Sequence, residues 1–229
     1  MHKLDESLLS PLPPFRQLQK PQIRAILDQA TSHRFDSNVS VFEQSAPARR
    51  FFLLLDGTVR VVKITPNGEQ VTFLHIPSGQ LFGIAQALGR DTYPATAIAA
   101  CEILALSWPT SLWREFVTDY QGFATETYKV VGDRVDEMNT RIVEMSTQHV
   151  EQRIARALLR LVNQSGRRTE DGIEISFPIT RKDVSEMAGT TLQTVSRLLS
   201  GWEKDGLITS QRKKIIICDP HRLTVLGDL

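Results

Sequence analysis

The stretch from Thr180 to Gly206 constrains this chain more than any other. Two helix-compatible runs meet there at one glycine, Gly189. Thr180 can cap the first helix, and Asp183, three residues on, completes a capping-box pattern. Val184, Met187 and Ala188 give that helix an apolar face. Thr190 or Thr191 can cap a second helix, Leu192 to Lys204, which Gly206 ends. Two short helices around a glycine turn predict a helix-turn-helix. On the second helix Val195, Leu198, Leu199 and Trp202 share one face, and Gln193, Ser196, Arg197 and Ser200 share another. The first face suits packing. The second suits a major groove, where Arg reads guanine and Gln reads adenine through paired hydrogen bonds. Leu207-Ile208-Thr209 and Lys214-Ile215-Ile216-Ile217 predict two strands around the basic tip Ser210-Gln211-Arg212-Lys213. A wing of that kind suits phosphates. The rival is a helical hairpin whose Ser, Thr and Arg are merely solvated.

From His33 to Trp108 the texture is β. Asp56-Gly57 lies between two apolar runs, and Asn67-Gly68 leads into Val71-Thr72-Phe73-Leu74-His75-Ile76. Both dipeptides are hairpin signals. Many short strands with regular turns imply a sandwich or barrel. Ahead of them, residues 1–20 hold Pro11, Pro13 and Pro14 and read as an irregular arm. Pro21 suits the first turn of a short helix through about Ala30.

Gly122 to Ser146 lacks proline and carries a heptad. Tyr128, Val131, Val135, Met138, Ile142, Met145 and His149 follow at spacings of 3, 4, 3, 4, 3 and 4. An apolar seam of that period between charged flanks is what a two-stranded coiled coil needs. A helix packed on its own domain is the alternative. A further helix, Glu151 to Gln164, stops at Ser165-Gly166-Arg167-Arg168, and Gly172 to Phe177 alternates as a strand.

Composition excludes rather than assigns. The 229 residues carry a formal net charge of +1, divided unevenly. Residues 149–229 hold 13 Lys/Arg against 10 Asp/Glu, and residues 1–148 hold 14 against 16. Cys101 and Cys218 are the only cysteines. Two cysteines exclude a disulfide framework and, by themselves, an iron–sulfur cluster. No apolar run reaches the length of a membrane span, and no signal core opens the chain, so a soluble, cytoplasmic protein is expected.

The chain resembles the transcription regulators of the Crp/Fnr superfamily over nearly its whole length. The resemblance rests on Phe52-Leu53-Leu54-Leu55-Asp56-Gly57-Thr58-Val59-Arg60-Val61, on Gly68-Glu69, and on Gly79-Gln80-Leu81-Phe82-Gly83. It rests most on Ile179-Thr180-Arg181-Lys182-Asp183-Val184 and Gly189-Thr190-Thr191-Leu192-Gln193-Thr194-Val195-Ser196-Arg197. It implies an α+β chain with an N-terminal cyclic-nucleotide-binding-type β jelly roll, a long dimerisation helix and a C-terminal winged helix-turn-helix. The expected divisions are an arm at 1–20, an effector-sensing jelly-roll domain at 21–118, a dimerisation helix and hinge at 119–148, and a winged-helix DNA-binding domain at 149–229. It also implies a homodimer on palindromic double-stranded DNA, with RNA polymerase as partner and no enzymatic activity.

Transfer by position places base reading on Leu192, Gln193, Ser196 and Arg197, and phosphate contacts on Thr180, Arg181, Thr191, Lys213 and Lys214. A half-site containing TTG is expected, with Arg197 on its guanine and Leu192 near a thymine methyl. Phe82, Ile84, Asp91, Thr92, Tyr93 and Tyr128 form the expected effector pocket. Ile84 stands where cyclic-AMP-binding members have Glu, and Asp91-Thr92 where they have Arg-Ser. An acidic Asp91 repels a phosphate, which argues against cyclic AMP. Residues 1–30 hold no Cys, and Gly83 and Ala85 cannot ligate iron, so neither the iron–sulfur nor the known haem arrangement transfers.

Val143-Glu144-Met145-Ser146-Thr147, Tyr93-Pro94-Ala95-Thr96-Ala97 and Thr190-Thr191-Leu192 are similar to the NnrR-type branch, regulators of denitrification that respond to nitrogen oxides. That likeness implies nitric oxide sensing, with haem b as a conditional cofactor. His2, His33, His75, His149 and His221 are scattered, and His75 or His149 would be the ligand. Two rivals belong to other classes. A metal-dependent jelly-roll enzyme needs convergent ligands, and neither His33 nor His75 has a His-x-His partner. A cyclic-nucleotide module acting on a protein partner leaves the winged helix unused.

Overall fold

The computed structural model describes residues 5–68 and 70–228. The chain divides into two compact units, one running to Ile64 with Ile76–Glu137, the other combining Thr65–His75 with Met138 onward.

The first unit holds α1 (Lys20–Asp28) and the strands β1 (Thr31–Phe35), β2 (Ser40–Phe42), β3 (Arg50–Asp56) and β4 (Thr58–Ile64). After β5 (Gln70–Pro77), which belongs to the second unit as far as His75, come β6 (Leu81–Phe82), β7 (Thr96–Ala99), β8 (Ile103–Pro109), α2 (Trp113–Asp119) and the long α3 (Gln121–Thr147), which passes into the second unit at Met138. The strands form two four-stranded sheets, ordered β1-β8-β3-β6 and β2-β7-β4-β5. Alternation along β3 sends Phe51 and Leu53 into a core shared with α1, α2 and the start of α3. There the Phe51 ring stacks 5.5 Å from Trp108 and meets Trp113 edge-on at 5.1 Å. The indole of Trp108 stays satisfied by donating to the Ile26 carbonyl at 2.8 Å. Aromatic burial of this kind contributes about 1.5–3 kcal/mol per side chain.

Two expectations change here. Asp56-Gly57 is not a hairpin turn, because β3 and β4 belong to different sheets. It is the corner where the chain crosses over. Gly57 takes φ +88°, and a Cβ there would lie 2.6 Å from the Glu102 carbonyl oxygen. Asn67-Gly68 does mark a turn between sheet neighbours, closed by Gly68 N–H donating to the Thr65 carbonyl. The N-terminal arm, read as irregular, is anchored: Leu9 and Phe15 are buried in the helix-side core. Apolar residues between its prolines carried that signal.

The second unit holds α4 (Val150–Ser165), β9 (Gly166–Thr169), β10 (Gly172–Ile175), α5 (Arg181–Ala188) and α6 (Leu192–Lys204). β11 (Ile208–Gln211), β12 (Lys214–Ile217) and α7 (Pro220–Asp228) complete it. Its sheet runs β11-β12-β10-β9. Gly166 ends α4 and starts β9 in one step. A Cβ there would collide with the Val162 carbonyl oxygen. What reads in the sequence as a helix stop is therefore also a strand. α7 closes onto α4 through Arg156, whose Nε donates to the Gly227 carbonyl at 2.7 Å.

Helix α3 has its amphipathicity turned outward. Tyr128, Val135, Ile142 and Met145 are 50%, 44%, 63% and 47% exposed. Glu126, Thr127, Arg141 and Glu144 are buried instead. Val131 and Met138 are partly covered, Val131 by the helix-side core. An apolar stripe left in water and a polar face against protein is the reverse of an ordinary surface helix.

Candidate nucleic-acid interface

The expected capping box closes α5. Thr180 accepts from the Asp183 amide at 3.1 Å, and Asp183 accepts from the Thr180 amide at 2.8 Å. α5 ends at Gly189, which takes φ +60°. Thr191 then caps α6 by accepting from the Thr194 amide at 3.2 Å. Val195, Leu199 and Trp202 bury the inner face of α6, and Trp202 Nε1 donates to Glu151 of α4. The outer face of its first turns is thereby fixed. It presents Leu192, 45% exposed, together with exposed Gln193 and Arg197 and half-buried Ser196.

The two arginines of this region differ in how they are used. Arg197 makes no hydrogen bond or ion pair to any described residue, so its guanidinium is available to a base edge. Arg181 is engaged internally. It donates to the Ser196 carbonyl, Ser200 Oγ, Glu203 Oε2 and Ser210 Oγ at 3.1–3.3 Å. It joins α5, α6 and β11 rather than reaching out for a phosphate. Lys213 sits exposed at the wing tip with φ +62°, and its carbonyl accepts from the Ile179 amide. Lys214 is half-buried and pairs with Glu174 at 3.1 Å, which holds that carboxyl below its usual range.

The residues expected to line one effector pocket are dispersed. Phe82 and Tyr93 belong to an aromatic cluster around Phe42, with the Tyr93 ring 3.8 Å from it. The Tyr93 hydroxyl donates to the Arg50 carbonyl at 2.6 Å, and burial raises its pKa. Ile84 belongs to the helix-side core. Asp91 and Thr92 are exposed, and Tyr128 lies on the outward stripe of α3. The two histidines expected for haem lie in different settings. His75 is buried with its ring 5.0 Å from that of Phe177. His149 is the exposed N-cap of α4. His2 lies outside the described residues. Among the described residues no cluster of three His, Cys, Asp or Glu could hold a metal ion, and no helix is long and apolar enough to cross a membrane.

Sequence reasoning missed the polar anchors inside the second unit. Arg153 donates to the Ala188 and Gln148 carbonyls at 2.9 Å, tying α4 to the end of α5. Glu144 of α3 accepts from Arg160 at 2.9 Å and from Arg156 at 3.4 Å. Arginines at i and i+4 on α4 were the available signal.

Residues 152–226 match the Crp-like helix-turn-helix domain, and residues 32–120 match the cyclic nucleotide-binding domain. The two matched domains, in this order, are those of a Crp/Fnr-type DNA-binding transcription regulator. The chain is similar to the CRP-like cAMP-activated global transcriptional regulator of Mycobacterium tuberculosis, at 21% identity over 91% of this chain and 93% of that one. It is also similar to the electron transport regulator A of Shewanella oneidensis, at 27% identity over 82% and 74%. Among solved structures it resembles FixK2 from Bradyrhizobium japonicum, with a TM-score of 0.75 and 19% identity over 86% of this chain and 96% of that one.

Proposed function

We propose that the protein acts as a homodimer on a palindrome with TTG-type half-sites, gated by an effector of the nitrogen-oxide class. The uncovered apolar stripe of α3 carries this reading. One chain has one reading helix, and a second copy laid on the stripe supplies the other. Two such helices about 34 Å apart match two half-sites one DNA turn apart. Arg197 reads the guanine of each half-site, Leu192 touches a thymine methyl and Gln193 reads beside them. Effector binding shifts the population toward the spacing that DNA accepts. RNA polymerase is the partner that turns occupancy into regulation.

A gel shift tests the DNA reading, with the palindrome beside a single half-site and a palindrome lengthened by half a helical turn. Tight binding of the first alone is expected. Equal affinity for all three sinks the dimeric docking. For the effector, absorption spectra after mixing with haem, with and without nitric oxide, are decisive for haem b. No Soret band, together with DNA binding indifferent to nitric oxide, removes that branch of the reading.

A further inference from the structure

Two polar side chains on the inward face of α3, one buried and one partly buried, have bonding capacity left over. Thr127 is fully buried, and its Oγ1 has no hydrogen-bond partner among the described residues. Arg134 lies seven residues on, the same face of the helix about 10 Å along its axis. Long helical side chains lean toward the helix N-terminus, the direction in which Thr127 lies from Arg134.

Arg134 Nη2 donates to the Leu81 carbonyl at 2.7 Å and to Gln80 Oε1 at 3.2 Å. Both acceptors are neutral. Nε and Nη1 bond to no described residue, and no carboxylate of a described residue forms an ion pair with this guanidinium. Glu137 acts on it only through space, and burial pushes its pKa down to about 10. Arg134 is partly buried, and its guanidinium has neutral acceptors and no bonded counter-ion, so it can still take a negative partner. Leu81 of β6, whose carbonyl Arg134 holds, belongs to the same apolar core as Ile84 and Phe123, with Val131 packed on its edge.

One guanidinium, one orphan hydroxyl and apolar walls favour a single negative charge. A fork of N–H donors fits two coplanar oxygens best. A phosphate dianion asks for more positive charge than one arginine offers. We propose that Arg134 and Thr127 form the polar end of a binding site for a small planar monoanion, of the carboxylate or nitrite class. The site rests on reading the first unit as the effector-sensing domain.

Calorimetric titration of the full chain at fixed ionic strength tests this, with sodium nitrite, acetate, benzoate and phosphate as separate arms. Saturable binding of nitrite or a carboxylate is expected, with none for phosphate. Arg134→Gln weakens it about tenfold or more, Thr127→Val weakens it less, and Arg134→Lys keeps a part of it. Nitrite alone identifies an inorganic ligand; acetate or benzoate identifies an organic acid. Near-ultraviolet circular dichroism checks that each variant is folded. If Arg134→Gln does not fold, Arg134→Lys keeps the charge without the fork, and undiminished binding by it overturns the site. So does absence of saturable binding by every monoanion, or binding untouched by Arg134→Gln. A gel shift on the same preparations separates the two readings. DNA binding without anion binding removes the site alone, and anion binding without DNA binding removes the proposed DNA reading alone.

Discussion

Arg181 and Arg197 show how one residue type serves two ends within a single helix-turn-helix. Arg197 has no described partner, so Arg197→Ala leaves melting unchanged. It lowers palindrome affinity by about 1–3 kcal/mol and relaxes the preference at one guanine, as competition gel shifts will read. Arg181→Ala does the opposite. It unties α5, α6 and β11, so thermal unfolding falls by about 1–3 kcal/mol before any DNA is added. Lys213→Ala weakens all sequences alike and shallows the salt slope by about 1. A pH effect is expected at His33. Its Nε2 lies 2.7 Å from Ser107 Oγ, which also accepts from Arg50 Nε at 2.8 Å. Burial first, and then Arg50, hold the His33 pKa below its ordinary value. The unfolded chain therefore binds more protons than the folded one below about pH 6.5, and stability falls as pH drops through that window. Melting curves of the wild type and His33→Gln across that window check this. An unchanged slope in the variant excludes His33 as the cause.

At the scale of elements, α3 decides assembly. Ile142→Asp places a charge in the middle of the outward stripe and is expected to give monomers in sedimentation equilibrium, with the helical content kept. Dimers of normal affinity would mean that another face does the joining. Gly57→Ala tests the corner between the sheets. A positive φ and a Cβ 2.6 Å from the Glu102 carbonyl oxygen combine strain with a clash, so a loss above 1–2 kcal/mol, about what φ alone accounts for, is expected from denaturant melts. These elements also show what sequence reading can reach. α5, its glycine turn and α6 were legible because caps and C-terminal glycines act within three or four residues. The seam of α3 was legible as a period and as a face for a second helix, but the polar residues buried behind it were not, since a heptad does not say what its opposite side meets. Asp56-Gly57 looked like a hairpin because a dipeptide records a reversal and not the sheet that receives the next strand. Arg134 was illegible because a charged residue beside a heptad reads as solvated until its neighbours are known.

For the whole molecule, charge is a weak source of affinity. The C-terminal part carries 13 basic against 10 acidic residues, and some of the basic ones are already paired within the chain. With two or three phosphate contacts per subunit, log affinity against log salt is expected to slope at about −4 to −5. A slope near −10 would show that far more of the surface touches DNA than the wing and helix ends supply. Order of synthesis adds a different demand. Leu9 and Phe15 settle in a core that includes Phe116 and Phe123. Those rings are made more than a hundred residues later. At ribosomal speeds the gap is on the order of ten seconds. Throughout it Leu9 and Phe15 stay in water, within reach of chaperones, until the first turns of α3 have emerged.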